Sequence, residues 1–153
     1  MQEPYLALQT DGAVNAHSEA AIGFVATWND GTEEMAGGYC VPDIRTTVGA
    51  EVRALHDALT KLLPQHADVP LQIQTDLEVL ATRLPDGEAP DCAESRLLFR
   101  DVKTLLEGFG TLVVEYVQSE ENAADGFAAA ALDDGYERDG AAVDSPSGER
   151  AFR

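Results

Sequence analysis

The sequence predicts an α/β domain: a five-stranded mixed sheet flanked by helices, in the order β-β-β-α-β-α-α-β-α. Two observations carry this. Three runs rich in apolar, β-branched and aromatic residues follow one another before residue 41 and read as strands joined by hairpins. Beyond them, strand-like runs alternate with segments of helical apolar spacing, which implies a mixed sheet with helices packed on it. Two of the strand-like runs, LALQTDGAV at 6–14 and LQIQTDLEVL at 71–80, also share the tripeptide Gln-Thr-Asp.

Each element has its own signal. Residues 5–11 read as the first strand and residues 20–28 (AAIGFVATW) as the second. Asn29-Asp30-Gly31 supplies a turn, and residues 33–40 (EEMAGGYC) return as the third strand of a meander. Residues 49–63 (GAEVRALHDALTKLL) have helical periodicity that Pro64 closes. Residues 69–75 form the fourth strand, and Leu77, Leu80, Ala81 and Leu84 keep helical spacing directly after it. PDGEAPD is a loop. Leu98, Val102, Leu105 and Phe109 mark a further amphipathic helix. Residues 111–117 (TLVVEYV) are the fifth strand, and 122–132 a last, alanine-rich helix. Residues 1–132 are thus expected to form one domain, and the polar, Gly-rich residues 133–153 a flexible acidic tail.

A chain of 153 residues with 44% hydrophobic content is long and apolar enough for one domain with a core. No apolar run approaches the roughly 18 to 20 residues of a membrane span. The N-terminus lacks a basic segment followed by an apolar one, so no signal peptide is read and a cytoplasmic location is expected. Cys40 and Cys92 have no zinc spacing and read as reduced thiols. His17, His56 and His66 are scattered and form no HExxH. The charge is extreme: 28 acids against 10 bases, net −18, with Lys61 and Lys103 the only lysines. The acids are spread along the whole chain. Such self-repulsion loosens a compact state in dilute buffer but is screened at molar salt, where the Debye length is about 3 Å. The composition therefore reads as halophilic. Acidity normally argues against a nucleic-acid partner. That argument weakens when the surface charge answers to the solvent.

Four carboxylates stand in awkward places. Asp11-Gly12 has the form of a hairpin turn, Asp76 that of a helix cap before Leu77, and Asp125, three residues after Asn122, that of a capping box. Glu51 is harder to explain. On a helix it shares a stripe with Leu55, Ala58 and Leu62, and a lone carboxylate facing a core costs several kcal/mol. Two strand ends and two helix starts can converge on one edge of a sheet. Four acids gathered there repel unless a cation sits among them, and oxygen ligands without His or Cys select Mg²⁺ or Mn²⁺.

These motifs resemble type 1 ribonuclease H in its short form, without the basic helical insertion, from Tyr5 to about Leu132. TDG at 10–12 is similar to the family's first-strand motif, IGFV at 22–25 to its second strand, and TTVGAEVRALHDAL at 46–59 to the segment with its catalytic Glu. LQIQTD at 71–76 is similar to the strand carrying its second Asp, and VEYVQSEENAADGFAAAAL at 114–132 to its last strand, loop and helix. The resemblance implies a ribonuclease H-like fold. It implies that Asp11, Glu51, Asp76 and Asp125 are catalytic and hold two Mg²⁺ or Mn²⁺ ions, with Asp11 bridging them. It implies a two-metal endoribonuclease that cuts the RNA strand of an RNA–DNA hybrid and leaves 3′-hydroxyl and 5′-phosphate ends. Substrate choice would rest on 2′-hydroxyl contacts and duplex shape, with Gly12, Asn15, Arg45 and Thr47 as substrate contacts.

The substrate-contacting parts depart further from the family than the acids do. VNAHSEAA (14–21) stands where the family often has an Asn-Pro-Gly loop, and Asn15 takes the place of its Asn. Thr47 and Val48 stand where paired Asn residues often precede the Glu. The loop before the last helix reads QSEEN, without the family's His, and Leu77 replaces a Ser. Arg45, Arg83, Arg96 and Arg100 are candidate phosphate contacts. The alternative function is a catalytically idle binding module on the same fold, against which the intact acids argue. A 3′–5′ exonuclease would show Asp-x-Glu on the first strand, where this chain has Asp11-Gly12-Ala13. A sugar-kinase-like ATPase would need glycine-rich phosphate loops, which are not found.

The charge generates a prediction of its own. Far-UV circular dichroism followed through a KCl titration should show structure gained as salt rises and a plateau toward molar KCl. A fully folded spectrum in dilute buffer would contradict the halophilic reading.

Overall fold

Alternating apolar residues pair β1 (Leu6–Val14) with two neighbours. On one side lies β2 (Ala20–Trp28), antiparallel, which pairs in turn with antiparallel β3 (Glu33–Val41). On the other side lies β4 (Leu71–Thr75), parallel, followed by parallel β5 (Leu112–Tyr116). The strand order is β3-β2-β1-β4-β5. The helices are α1 (Thr47–His66), α2 (Glu78–Arg83), α3 (Arg96–Leu106) and α4 (Ala124–Tyr136). This computed structural model describes residues 3–136, and the expected tail lies outside the described residues from 137 onward. The five-stranded mixed sheet and its element order match the sequence expectation.

Register decides which helix covers which face. Gly12 pairs with Ile22 and Thr10 with Phe24, so these residues share one face with Leu6 and Leu8. That face meets Ala54, Leu55, Ala58, Leu59 and Leu62 of α1, with Phe99 and Val102 of α3 behind, in one buried cluster. Asp11 pairs with Gly23, and Gly23 with Gly38, on the opposite face. There α4 lies directly on the sheet. A Cβ on Gly23 would stand 2.6 Å from the Ala128 nitrogen, and one on Gly38 would stand 2.7 Å from the Phe127 carbonyl oxygen.

Several boundaries differ from the sequence reading, each for a non-local reason. β1 continues through Asp11-Gly12 to Val14, so Asp11 sits in the ladder and not in a turn. The reversal comes later, where the Asn15 Oδ1 accepts the N–H groups of His17 and Glu19 at 2.9 and 3.0 Å. Pro64 does not close α1 but lies inside it. A proline in the last turn forfeits one helical hydrogen bond. The helix end is held from outside, because His66 Nε2 lies 3.0 Å from Glu34 Oε2 and the Trp28 indole N–H donates to Glu34 Oε1 at 2.9 Å. α3 begins at Arg96 and ends before Phe109, which is buried past its end. α4 begins at Ala124 and runs on through Tyr136.

The glycine contact predicts a contrast. Gly23→Ala should destabilise the domain by about 1 to 3 kcal/mol, since the new methyl meets the α4 backbone. Gly126→Ala, with nothing within 4 Å of its Cβ, should be neutral or stabilising. Thermal unfolding of the two variants checks this, and equal melting temperatures would contradict the close approach.

Candidate metal centre

The two Gln-Thr-Asp tripeptides lie side by side because β1 and β4 are parallel and in register, Leu6 opposite Leu71 through Gln9 opposite Gln74. The Gln9 side-chain amide donates to Gln74 Oε1 at 2.9 Å, and that of Gln74 donates to Glu115 Oε1 at 2.9 Å, forming a polar ladder across three strands. Thr10 and Thr75 are fully buried. The next residue on each chain, Asp11 or Asp76, therefore emerges at the same end of the sheet. Asp76 does not cap α2, which has no side-chain cap.

Glu51 reaches this point from α1. Thr46 starts that helix, its Oγ1 accepting the Gly49 N–H at 3.0 Å. Glu94 ties the start down from a distant loop. Its carboxylate accepts the N–H groups of Arg45 and Thr46 at 2.9 and 3.0 Å and the Thr46 hydroxyl at 2.6 Å. Gly12 lets the helix approach the strand, since a Cβ there would stand 2.6 Å from the Ala50 Cβ. As a result, carboxylate oxygens of Asp11, Glu51 and Asp76 all lie within 4.8 Å of one another. Asp11 and Glu51 are 5% and 3% exposed, and Asp76 is half-buried.

Asp125 stands at the exposed rim of this group. Asn122 places it. The Asn122 side-chain amide donates to the Thr10 carbonyl at 2.9 Å, and its Oδ1 accepts the Ala124 N–H at 3.0 Å. Gln9 Oε1 accepts the Ala123 N–H at 3.0 Å. The start of α4 is thereby fastened to the residue preceding Asp11. The expected capping box at Asn122 and Asp125 is replaced by this Asn122 cap, and a true box joins Gln118 and Glu121 one turn earlier.

Burial and crowding raise the proton affinity of the buried acids. The Asp11 carboxyl is pushed from 3.8 to about 7, chiefly by burial. A hydrogen bond with Glu51 partly offsets this, while a hydrogen bond with Asp125 and the charges of Asp76 and Asp125 add to it. Burial also lifts Glu51 well above the usual carboxylate range, helped by Asp11 and Asp76 and opposed by the Gly12 N–H. Glu51 Oε1 is buried with no hydrogen-bond partner. An orphaned carboxylate oxygen inside a cluster of oxygen donors fits a hard divalent cation, and Asp11, Glu51 and Asp76 would hold it. His56 and His66 are engaged elsewhere, with Asp57 and Glu34.

The other expected residues have separate surroundings. Gly12 is buried under α1, and Asn15 is occupied by its own turn, its amide also donating to Glu19 Oε1 at 2.8 Å. Arg45 and Thr47 are exposed at the start of α1. Arg45 shares a cleft with His17, Ser18 and Glu19. Arg83 Nη1 donates to the Ala89 carbonyl at 2.9 Å and so holds its loop, while Arg96 and Arg100 are exposed on α3. Sequence reasoning missed Glu94 and the clamp made by Asn122. Glu94 bonds to residues 48 and 49 positions away and carries no local signal.

A family model described as reverse transcriptase-like matches residues 9–131, a span containing all four acids. No curated protein matches the chain. Solved structures do. The N-terminal RNase H domain of a Mycobacterium tuberculosis protein, solved as a fusion with maltose-binding protein, superposes with a TM-score of 0.76 at 19% identity, covering 86% of this chain and 95% of that one. RNase H1 from the halophilic archaeon Halobacterium salinarum gives 0.75 at 26% identity, covering 85% and 98%. LC11-RNase H1 in complex with an RNA/DNA hybrid gives 0.74 at 22% identity, covering 84% and 96%. The chain belongs to the reverse transcriptase-like family and has the ribonuclease H fold.

The raised carboxyls make the centre sensitive to pH. Asp11 and Glu51 hold protons to higher pH when folded than when unfolded. Their contribution to stability is therefore present at low pH and lost as pH rises, that of Asp11 through about 7. A cation needs the ionised carboxylates, so Mn²⁺ should raise the melting temperature little near about pH 5 and clearly near about pH 8, at constant high KCl. Glu51→Gln should keep or raise the melting temperature of the metal-free protein and lose the response to Mn²⁺. An unchanged Mn²⁺ response in that variant would remove Glu51 from the centre.

Proposed function

We propose that this member of the reverse transcriptase-like family is a divalent-metal-dependent endoribonuclease that cuts the RNA strand of RNA–DNA hybrids. The observation that carries the reading is the buried Asp11–Glu51–Asp76 group with its unpartnered Glu51 oxygen. Buried carboxylates gathered this way cost folding energy unless protons or a cation neutralise them. The fold supports the same reading, as does the RNA/DNA hybrid bound by the structurally similar LC11-RNase H1.

When bound, two Mg²⁺ or Mn²⁺ ions at such a site supply Lewis acidity, activating a water and balancing charge on the scissile phosphate. The chain's own residues do the rest. Asp11, flanked by the other acids, is the ligand best placed to be shared. Glu51 and Asp76 fix the cluster from α1 and from the end of β4. Asp125, exposed on α4, leaves one side open to the phosphate. Arg45, on the cleft it shares with His17, Ser18 and Glu19, and Thr47, exposed at the start of α1, are the side chains a duplex would meet there, whereas Gly12 is buried beneath α1 and Asn15 is held by its own turn. Hydroxyl and backbone groups there suit contacts to a 2′-hydroxyl, which separates RNA from DNA.

The reading is tested by incubating labelled RNA–DNA hybrid, duplex RNA and duplex DNA with the protein at molar KCl and Mn²⁺. Cleavage of the hybrid's RNA strand, leaving 3′-hydroxyl and 5′-phosphate ends, is expected. Hybrid that stays intact with a folded protein would contradict it. Asp11→Asn should lower turnover by about 100-fold or more while keeping the far-UV spectrum. Asp125→Asn, at the rim, should cost less.

A further inference from the structure

We propose that the outer face of α3 is a second nucleic-acid contact, in which Arg96, Arg100 and Lys103 grip phosphates of the same duplex whose scissile bond enters the carboxylate centre. This rests on the hybrid-nuclease reading and extends it to how a chain of net −18 holds a polyanion.

The row stands out against the rest of the molecule. α3 is the only described helix or strand in which bases outnumber acids, three to one in RLLFRDVKTLL. Arg96, Arg100 and Lys103 fall at i, i+4 and i+7, on one face of the helix. All three are exposed, and none forms an ion pair among the described residues. Neighbouring acids are turned elsewhere or bound the row. Glu94 is spent on Arg45 and Thr46. Asp101 Oδ2 lies 3.7 Å from His56 Nε2, toward α1. Glu107 caps the far end. In a chain with 28 acids and 10 bases, a row of bases left unpaired is a departure from the surface's general character.

Its position fits the same partner. The segment leading into α3 is bonded through Glu94 to Arg45 and Thr46, at the start of the helix that carries Glu51, so the N-termini of α3 and α1 lie together. From Arg96 to Lys103 the helix rises about 10 Å at 1.5 Å per residue. A nucleic-acid strand rises about 3.4 Å per nucleotide along the duplex axis, so the row spans about three nucleotide steps. Arginine in two of the three positions suits bidentate phosphate contacts.

The test is binding of labelled RNA–DNA hybrid in the Asp11→Asn background, where the substrate is not consumed, across a KCl titration. Arg96→Gln/Arg100→Gln/Lys103→Gln should weaken binding and lower the slope of log K against log [KCl] by about 2 to 3. The single change Arg100→Gln should lower it by about 1, and Arg96→Lys/Arg100→Lys should leave it unchanged. The loss should appear on a hybrid of about 18 base pairs. Equal affinity and slope for the triple variant and its parent on that hybrid would overturn the proposal while leaving the nuclease reading intact, and equal slope for folded Arg100→Gln would do the same if the triple variant fails to fold. A parent that binds no hybrid at any salt would overturn both.

Discussion

Mutual repulsion of carboxylates packed within 4.8 Å of one another is the constraint on which the rest of the structure depends. Nothing in local sequence requires Asp11, Glu51 and Asp76 to meet. They meet because β1 and β4 run parallel in register, and because Gly12 lets α1 close on the strand. The surrounding hydrogen bonds oppose the natural tendency of the acids to part. Gln9, Gln74 and Glu115 lock the strands laterally, Glu94 and Thr46 hold the start of α1, and Asn122 clamps α4 to Thr10. The hydrophobic core supplies the stability that this crowding consumes.

The site sits where three layers meet. α1 covers one face of the sheet and α4 the other, and the acids lie where the starts of both helices approach β1. Close packing of α4 over Gly23 and Gly38 leaves that helix little freedom to slide. Asp125 is therefore positioned by backbone contacts even though its own side chain is exposed. The surface charge adds a second electrostatic layer. A field of −18 concentrates cations near the centre and repels a duplex, so the few exposed bases matter more here than in a neutral protein.

Much of this was legible in the sequence, and the exceptions share a cause. Strand and helix identities followed from local periodicity, and the position of Glu51 on an apolar stripe announced a buried charge. The repeated Gln-Thr-Asp pointed to Asp11 and Asp76, although only the pairing of β1 with β4 shows why the repeat matters. Asp11-Gly12 was ambiguous because a turn and a glycine-relieved helix contact look alike over two residues. Pro64 read as a stop because the tether from His66 to Glu34 joins residues far apart in the chain. Glu94 was invisible for the same reason, since an acid in a polar loop has no periodicity to betray its target. Asn122 was visible as part of Asn-x-x-Asp, but its bond to the Thr10 carbonyl was not.

The fold forces these carboxylates into a site that either protons or a divalent cation must neutralise. Carboxyl-carbon NMR across a pH titration, with and without Mg²⁺ at high KCl, addresses it directly. In the metal-free protein a carboxyl assigned to Asp11 should titrate near about 7, with Glu51 also well above the ordinary range, and both midpoints should fall on adding Mg²⁺. Ordinary carboxylate midpoints for both residues, unmoved by Mg²⁺, would contradict it.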